Sequence, residues 1–206
     1  MPSDGKGKFW FDGTNYISEN GYMYPIKWDD VLPAGNWEPA SGGTAPDIAT
    51  HTVGGIAMNF RAFDGNATEE SMANSFEILH GIAIELLNDS TNQQDIHIHA
   101  MASTTGSGVA KVFFDMVYLP VNGAPISMGT YSTLITINAN EQYYHKLGYV
   151  LITKPSSGYN IGDKIQVRLR RTPTDAQDTY AGDLLFLQCA MHFPFKSTGS
   201  NMPYMQ

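Results

Sequence analysis

The sequence of 206 residues predicts an all-β protein, a two-sheet jelly-roll β-sandwich of about eight strands carrying an extended N-terminal arm. Three observations point to this fold. From Gly54-Gly55 onward, short alternating runs are separated by turn residues, the pattern of half-buried strands. Only 68–74 reads as helix, with Asn66 or Thr68 as cap for a first turn containing Glu69 and Glu70. The final run is apolar on both sides, as a strand covered from both faces must be. A body of this length buries about 70% of its unfolded surface, so it can fold without a staple.

In chain order the expected strands are 56–63, 75–79, 95–101, 109–119, 132–138, 145–153, 164–171 and 184–195. Between them lie Asn88-Asp89-Ser90, Thr105-Gly106-Ser107-Gly108, Asn122-Gly123, Pro155-Ser156-Ser157-Gly158 and Thr172-Pro173-Thr174-Asp175, all turn chemistry. The 164–171 run has the clearest alternation. Ile165, Val167 and Leu169 point one way, while Lys164, Gln166, Arg168 and Arg170 point the other.

The domain division follows the change of texture: an arm over 1–53 and a jelly roll over 54–206. Residues 1–50 hold seven Gly, five Pro and eight aromatics with no sustained period. Disordered tails are poor in rings, so the arm is expected to be ordered, packed on its own body or on a neighbour. Trp10, Phe11, Trp28 and Trp37 are its candidate interface anchors. On this reading, deleting 1–40 leaves a folded body that no longer docks.

Charged residues make up 16% of the chain, against roughly 25% in an average soluble domain, so part of the exterior is expected to be hidden by partners. The net charge of −8 and the scattered basic residues, apart from Arg168, Arg170 and Arg171, argue against nucleic acid. Residues 1–11 lack a signal-peptide pattern, and no window approaches 18 uninterrupted apolar residues. No membrane partner is expected. The single Cys189 cannot form an intrachain disulfide and sits in apolar company, consistent with folding in a reducing cytoplasm.

Among motifs that could carry chemistry, His97 and His99 lie two apart on a strand and share a face, a spacing that can seat a metal. The following residues contain no carboxylate until Asp115, so the metal-binding cupin pattern is broken. A third ligand would have to come from His192, His80 or Asp115. Cross-strand hydrogen bonding or an interface role for the pair is favoured, and no metal or cofactor is expected. There is no Gly-x-Ser-x-Gly elbow, the Gly-rich pieces lack the context of a phosphate loop, and the adjacent acids Asp29-Asp30 and Glu69-Glu70 point apart on a strand. The chain is expected not to be an enzyme.

One ordered series of motifs remains: His80, Asp95-Ile96-His97-Ile98-His99, Arg168-Leu169-Arg170-Arg171, Asp178-Thr179-Tyr180, His192-Phe193 and Gly199-Ser200. In this order, residues from about 55 to 200 resemble a family of small tailed-bacteriophage virion structural proteins. The sequence departs from the family's usual pattern at Leu79 and Ala100. The resemblance implies a non-enzymatic jelly-roll component of the particle, assembled in the host cytoplasm and resident in the virion. Its partners would be copies of itself, as a trimer or other symmetric oligomer, and the major capsid protein or other virion proteins. A capsid decoration or cement subunit is the leading expectation. The alternative is a receptor-binding module of a tail or head fibre that stacks sugars on Tyr118, Tyr131, Tyr143, Tyr144 and Tyr159.

Overall fold

The computed structural model describes residues 9–11, 16–18, 26–66, 69–79, 82, 87–88 and 94–195, with side chains between 30 and 193 of these segments. The described residues form thirteen strands. β1 (Phe9–Phe11) and β2 (Tyr16–Ser18) pair as a two-stranded ladder. β3 (Ile26–Pro33), β4 (Glu38–Pro39) and β5 (Asp47–Val53) precede eight further strands. These are β6 (Ile56–Phe63), β7 (Glu70–Glu77), β8 (Gln94–Ala102), β9 (Gly108–Leu119), β10 (Ile126–Ile137), β11 (His145–Ile152), β12 (Lys164–Arg171) and β13 (Leu184–Phe195). No helix among the described residues is long and apolar enough to cross a membrane.

One sheet has the order β11-β8-β13-β6-β5, with β3 also paired to β13, and the other has the order β10-β9-β12-β7-β4. Every strand pair is antiparallel. Of the eight strands β6 to β13, the first, eighth, third and sixth share one sheet. The second, seventh, fourth and fifth share the other. This double wrapping is a jelly roll, the fold class that the alternating runs predict. β13 is central as expected, bonded to β8 along one edge and to β6 and then β3 along the other.

Alternation places the core between the sheets. Ile96, Ile98, Ala100 and Ala102 of β8 join Val112, Phe114 and Met116 of β9 and Ile165, Val167 and Leu169 of β12 in one buried cluster. A smaller cluster, Phe60, Ala62, Met101 and Leu185, lies outside it on the β6–β13–β8 side.

Two sequence expectations are corrected here. Of the helix read over 68–74, residues 70–74 are instead the start of β7, because tertiary contacts override the capping pattern: Glu70 is buried and its carboxylate accepts the Asp64 amide at 2.7 Å. Ser71 donates its amide to the Thr44 carbonyl at 2.8 Å. Trp37, read as an interface anchor, is fully buried in its own core. Its ring meets Phe186 edge-on at 5.6 Å, and its indole Nε1 donates to the Leu32 carbonyl at 3.2 Å. Within the segment read as an arm, β3 pairs with β13, β4 with β7 and β5 with β6. The side chains of Trp10, Phe11 and Trp28 lie outside the described residues.

Candidate functional site

The period of two along β8 sends Ile96 and Ile98 inward and Asp95, His97, His99 and Met101 to the outer face of their sheet. Residues directly opposite in an antiparallel pair share a face. His145, Leu147, Tyr149 and Leu151 of β11 therefore stand beside Met101, His99, His97 and Asp95, and Ala190 of β13 stands beside His97 on the other flank. Asp29 is the register partner of His192.

Four imidazoles line up across three strands of this face. The rings of His192 and His97 are 4.8 Å apart, those of His97 and His99 4.9 Å, and those of His99 and His145 4.9 Å and nearly parallel. His99 Nδ1 and His145 Nε2 are in hydrogen-bond contact at 2.7 Å. Asp95 Oδ1 lies 2.5 Å from His192 Nδ1 and 3.7 Å from His97 Nδ1. One ligand atom each from Asp95, His97 and His192 falls within 4.8 Å of the others. His97 is buried, Asp95 is mostly buried and His192 is about a third exposed.

Beside this row, the β11 strip is open. Tyr149 is 64% exposed, Leu147 55% and Leu151 47%. Tyr144, just before β11, is 58% exposed.

The structure brings together His97, His99 and His192 of the residues singled out from sequence. Asp115 is on the other sheet, accepting from Arg168 Nε at 2.8 Å, Arg170 Nε at 2.9 Å and Thr130 Oγ1 at 2.7 Å. Burial alone would raise its pKa, but the bonds from Arg170, Thr130 and Arg168 outweigh burial and hold the carboxyl below the ordinary range. His80 lies outside the described residues.

Of the five candidate sugar-stacking tyrosines, Tyr118 and Tyr159 are core residues with rings 5.5 Å apart, Tyr131 and Tyr143 are half-buried, and Tyr144 is exposed. Burial, then the Asp163 carboxylate that accepts its hydroxyl, pushes Tyr118 up to about 12. Burial also pushes the Cys189 thiol well up, the opposite of what a nucleophile needs. Glu69 pairs with Arg170 at 2.8 Å while Glu70 is committed to the Asp64 amide, so these adjacent acids do not form an acid–base couple.

Sequence reasoning missed His145, Tyr149 and Asp95 as members of the face. The alternation His145, Leu147, Tyr149, Leu151 was visible, but which side of β11 faces solvent depends on its pairing with β8.

No protein-family profile and no curated protein matches the chain. Similar solved structures include the CBM36-1 domain of a multidomain xylanase from the hindgut metagenome of Trinervitermes trinervoides. It is 8% identical at TM-score 0.37, covering 80% of this chain and 96% of that one. CBM35 from Cellvibrio japonicus Abf62 is 12% identical at TM-score 0.38, covering 79% and 92%. A carbohydrate-binding module specific for non-crystalline cellulose, CBM28, is 13% identical at TM-score 0.37, covering 78% and 87%. These similarities are too loose to transfer a ligand or a residue role. Fold and face together define a jelly-roll β-sandwich with an open, ring-lined outer sheet surface.

Proposed function

We propose that this chain is a non-catalytic, carbohydrate-binding jelly-roll subunit of a bacteriophage particle, with its ligand lying across the outer face of β11 and β8. The observation that carries the reading is the exposed Tyr149 ring on the outer face of the sheet. A sugar presents an apolar C–H face that stacks on such a ring, and hydroxyls that need polar partners at its edge. The paired imidazoles of His99 and His145 supply that edge, and Tyr144 extends the aromatic surface. The test is a glycan array of bacterial surface polysaccharides followed by titration of the best hit. Tyr149→Ala is expected to weaken binding at least about tenfold, the order of one good ring contact. Absence of binding by the parent chain overturns the carbohydrate reading.

A second reading, a shell decoration or cement subunit, is favoured by one observation. Leu147, Leu151 and Val31 are exposed apolar residues on the same sheet, which a neighbouring subunit could cover and a sugar does not need. Copy number in purified virions separates the two: on the order of hundreds supports a shell role, and about a dozen supports a fibre or tail role.

A further inference from the structure

We propose that Asp95, His97 and His192 form a site for a single divalent transition-metal ion, of the Zn2+ class, that clips β8 to the C-terminal half of β13. The inference is independent of the carbohydrate reading, which uses other side chains of the same face. Two imidazoles and a carboxylate are a borderline donor set. It suits Zn2+, Co2+ or Ni2+, whereas Ca2+ and Mg2+ take all-oxygen shells. In a tetrahedral site with bonds of about 2.0–2.1 Å, ligand atoms lie roughly 3.3 Å apart. The separations here bracket that value, from 2.5 Å between Asp95 and His192, through 3.7 Å between Asp95 and His97, to within 4.8 Å overall.

The backbone holds the donors in place. Asp95 and His97 are two apart on β8 and so share a face, and the β8–β13 ladder brings His192 alongside them. His97 and Asp95 are largely shielded from water, so the ion would sit at the wall of the sheet with its remaining position open to solvent. Because the donors come from two strands, bound ion opposes separation of β13 from β8, and metal binding adds to folding stability.

The experiment uses the full, untagged chain, stripped with EDTA, reloaded with ZnCl2 and desalted, with metal content measured by elemental analysis and thermal unfolding followed with and without ZnCl2. The expected result is about one equivalent of zinc retained and an unfolding midpoint a few degrees higher, reversed by EDTA. His192→Gln and His97→Gln are expected to lose both effects while keeping the parent β-sheet circular dichroism. Asp95→Asn is expected to weaken zinc binding by more than about tenfold, since even outer-shell partners are worth that much. His145→Gln, and His51→Gln in β5 at the far edge of the sheet, should retain the ion. Sub-stoichiometric zinc in the parent chain, full retention by His192→Gln, or loss through His145→Gln alone would overturn the assignment. If His97→Gln does not fold, the partly exposed His192 still decides the question.

Discussion

Arg171 is buried and heavily engaged. Its guanidinium makes a two-point fork to Asp178 at 2.9 Å on each arm, and it donates to the carbonyls of Phe63 at 3.1 Å, Gly182 at 2.8 Å and Tyr180. Two of the motifs behind the virion-protein resemblance, the Arg-rich strand end and the Asp-Thr-Tyr turn, thus meet as one structural lock. Replacing Arg171 by Met leaves a buried carboxylate without its ion-pair partner and is expected to cost about 3–5 kcal/mol, measured by urea unfolding. Asp115 gives a prediction with a sign. Its pKa is depressed in the folded chain, so its contribution to stability is present above the unfolded value and is lost as pH falls through the folded one. The difference in urea midpoint between the parent and Asp115→Asn should therefore be largest near neutrality and shrink below about pH 4. Cys189, fully buried with a raised thiol pKa, should resist iodoacetamide in the native state and react once denaturant is added.

At the scale of the element, the turn Asp178-Thr179-Tyr180 clasps the start of β9. Thr179 and Tyr180 donate their amides to the Val109 carbonyl at 2.7 and 3.0 Å, and the Lys111 amide donates to Asp178 at 3.0 Å. This close approach explains Gly108, where a Cβ would stand 2.7 Å from the Thr179 carbonyl oxygen and from the Tyr180 Cα. Gly108→Ala is expected to destabilise by about 1–3 kcal/mol, read by thermal unfolding, because backbone cannot give way as a flexible side chain can. β6, β12 and β13 occupy the spans expected of them, β12 because its alternation reports burial directly and β13 because its run is apolar on both faces. β10 begins six residues before its expected start, at Ile126, and its register shifts between Ser127 and Gly129, where Gly129 has φ 95°. Such a bulge leaves no alternating signature. β7 was obscured by Glu69 and Glu70, which suit a helix start in isolation but are fixed here by Arg170 and the Asp64 amide. Of the candidate site, the shared face of His97 and His99 follows from spacing alone. Asp95, two residues earlier on the same strand, follows from the same spacing, whereas the arrival of His192, His145 and Tyr149 follows from strand order, which one sequence does not state.

For the whole molecule, the early segment and the late strand are interdependent. β3 lies along β13, and Trp37 completes the core between the sheets. Removal of residues 1–40 is therefore expected to lower the unfolding midpoint sharply and blunt its cooperativity. Removal of 1–25 keeps both β3 and Trp37 and should leave the transition steep, with both variants followed by far-ultraviolet circular dichroism and calorimetry. β13 also sets a schedule. It is the shared partner of β3, β6 and β8, strands whose sequence positions begin as early as residue 26, while its own span closes at Phe195. On a ribosome, those three strands emerge before the one that joins them, and the edges it covers must wait until Leu184–Phe195 has been made. A nascent chain of this design is vulnerable to sticking to its siblings during that interval, so chaperone supply and elongation rate should govern the yield of native protein.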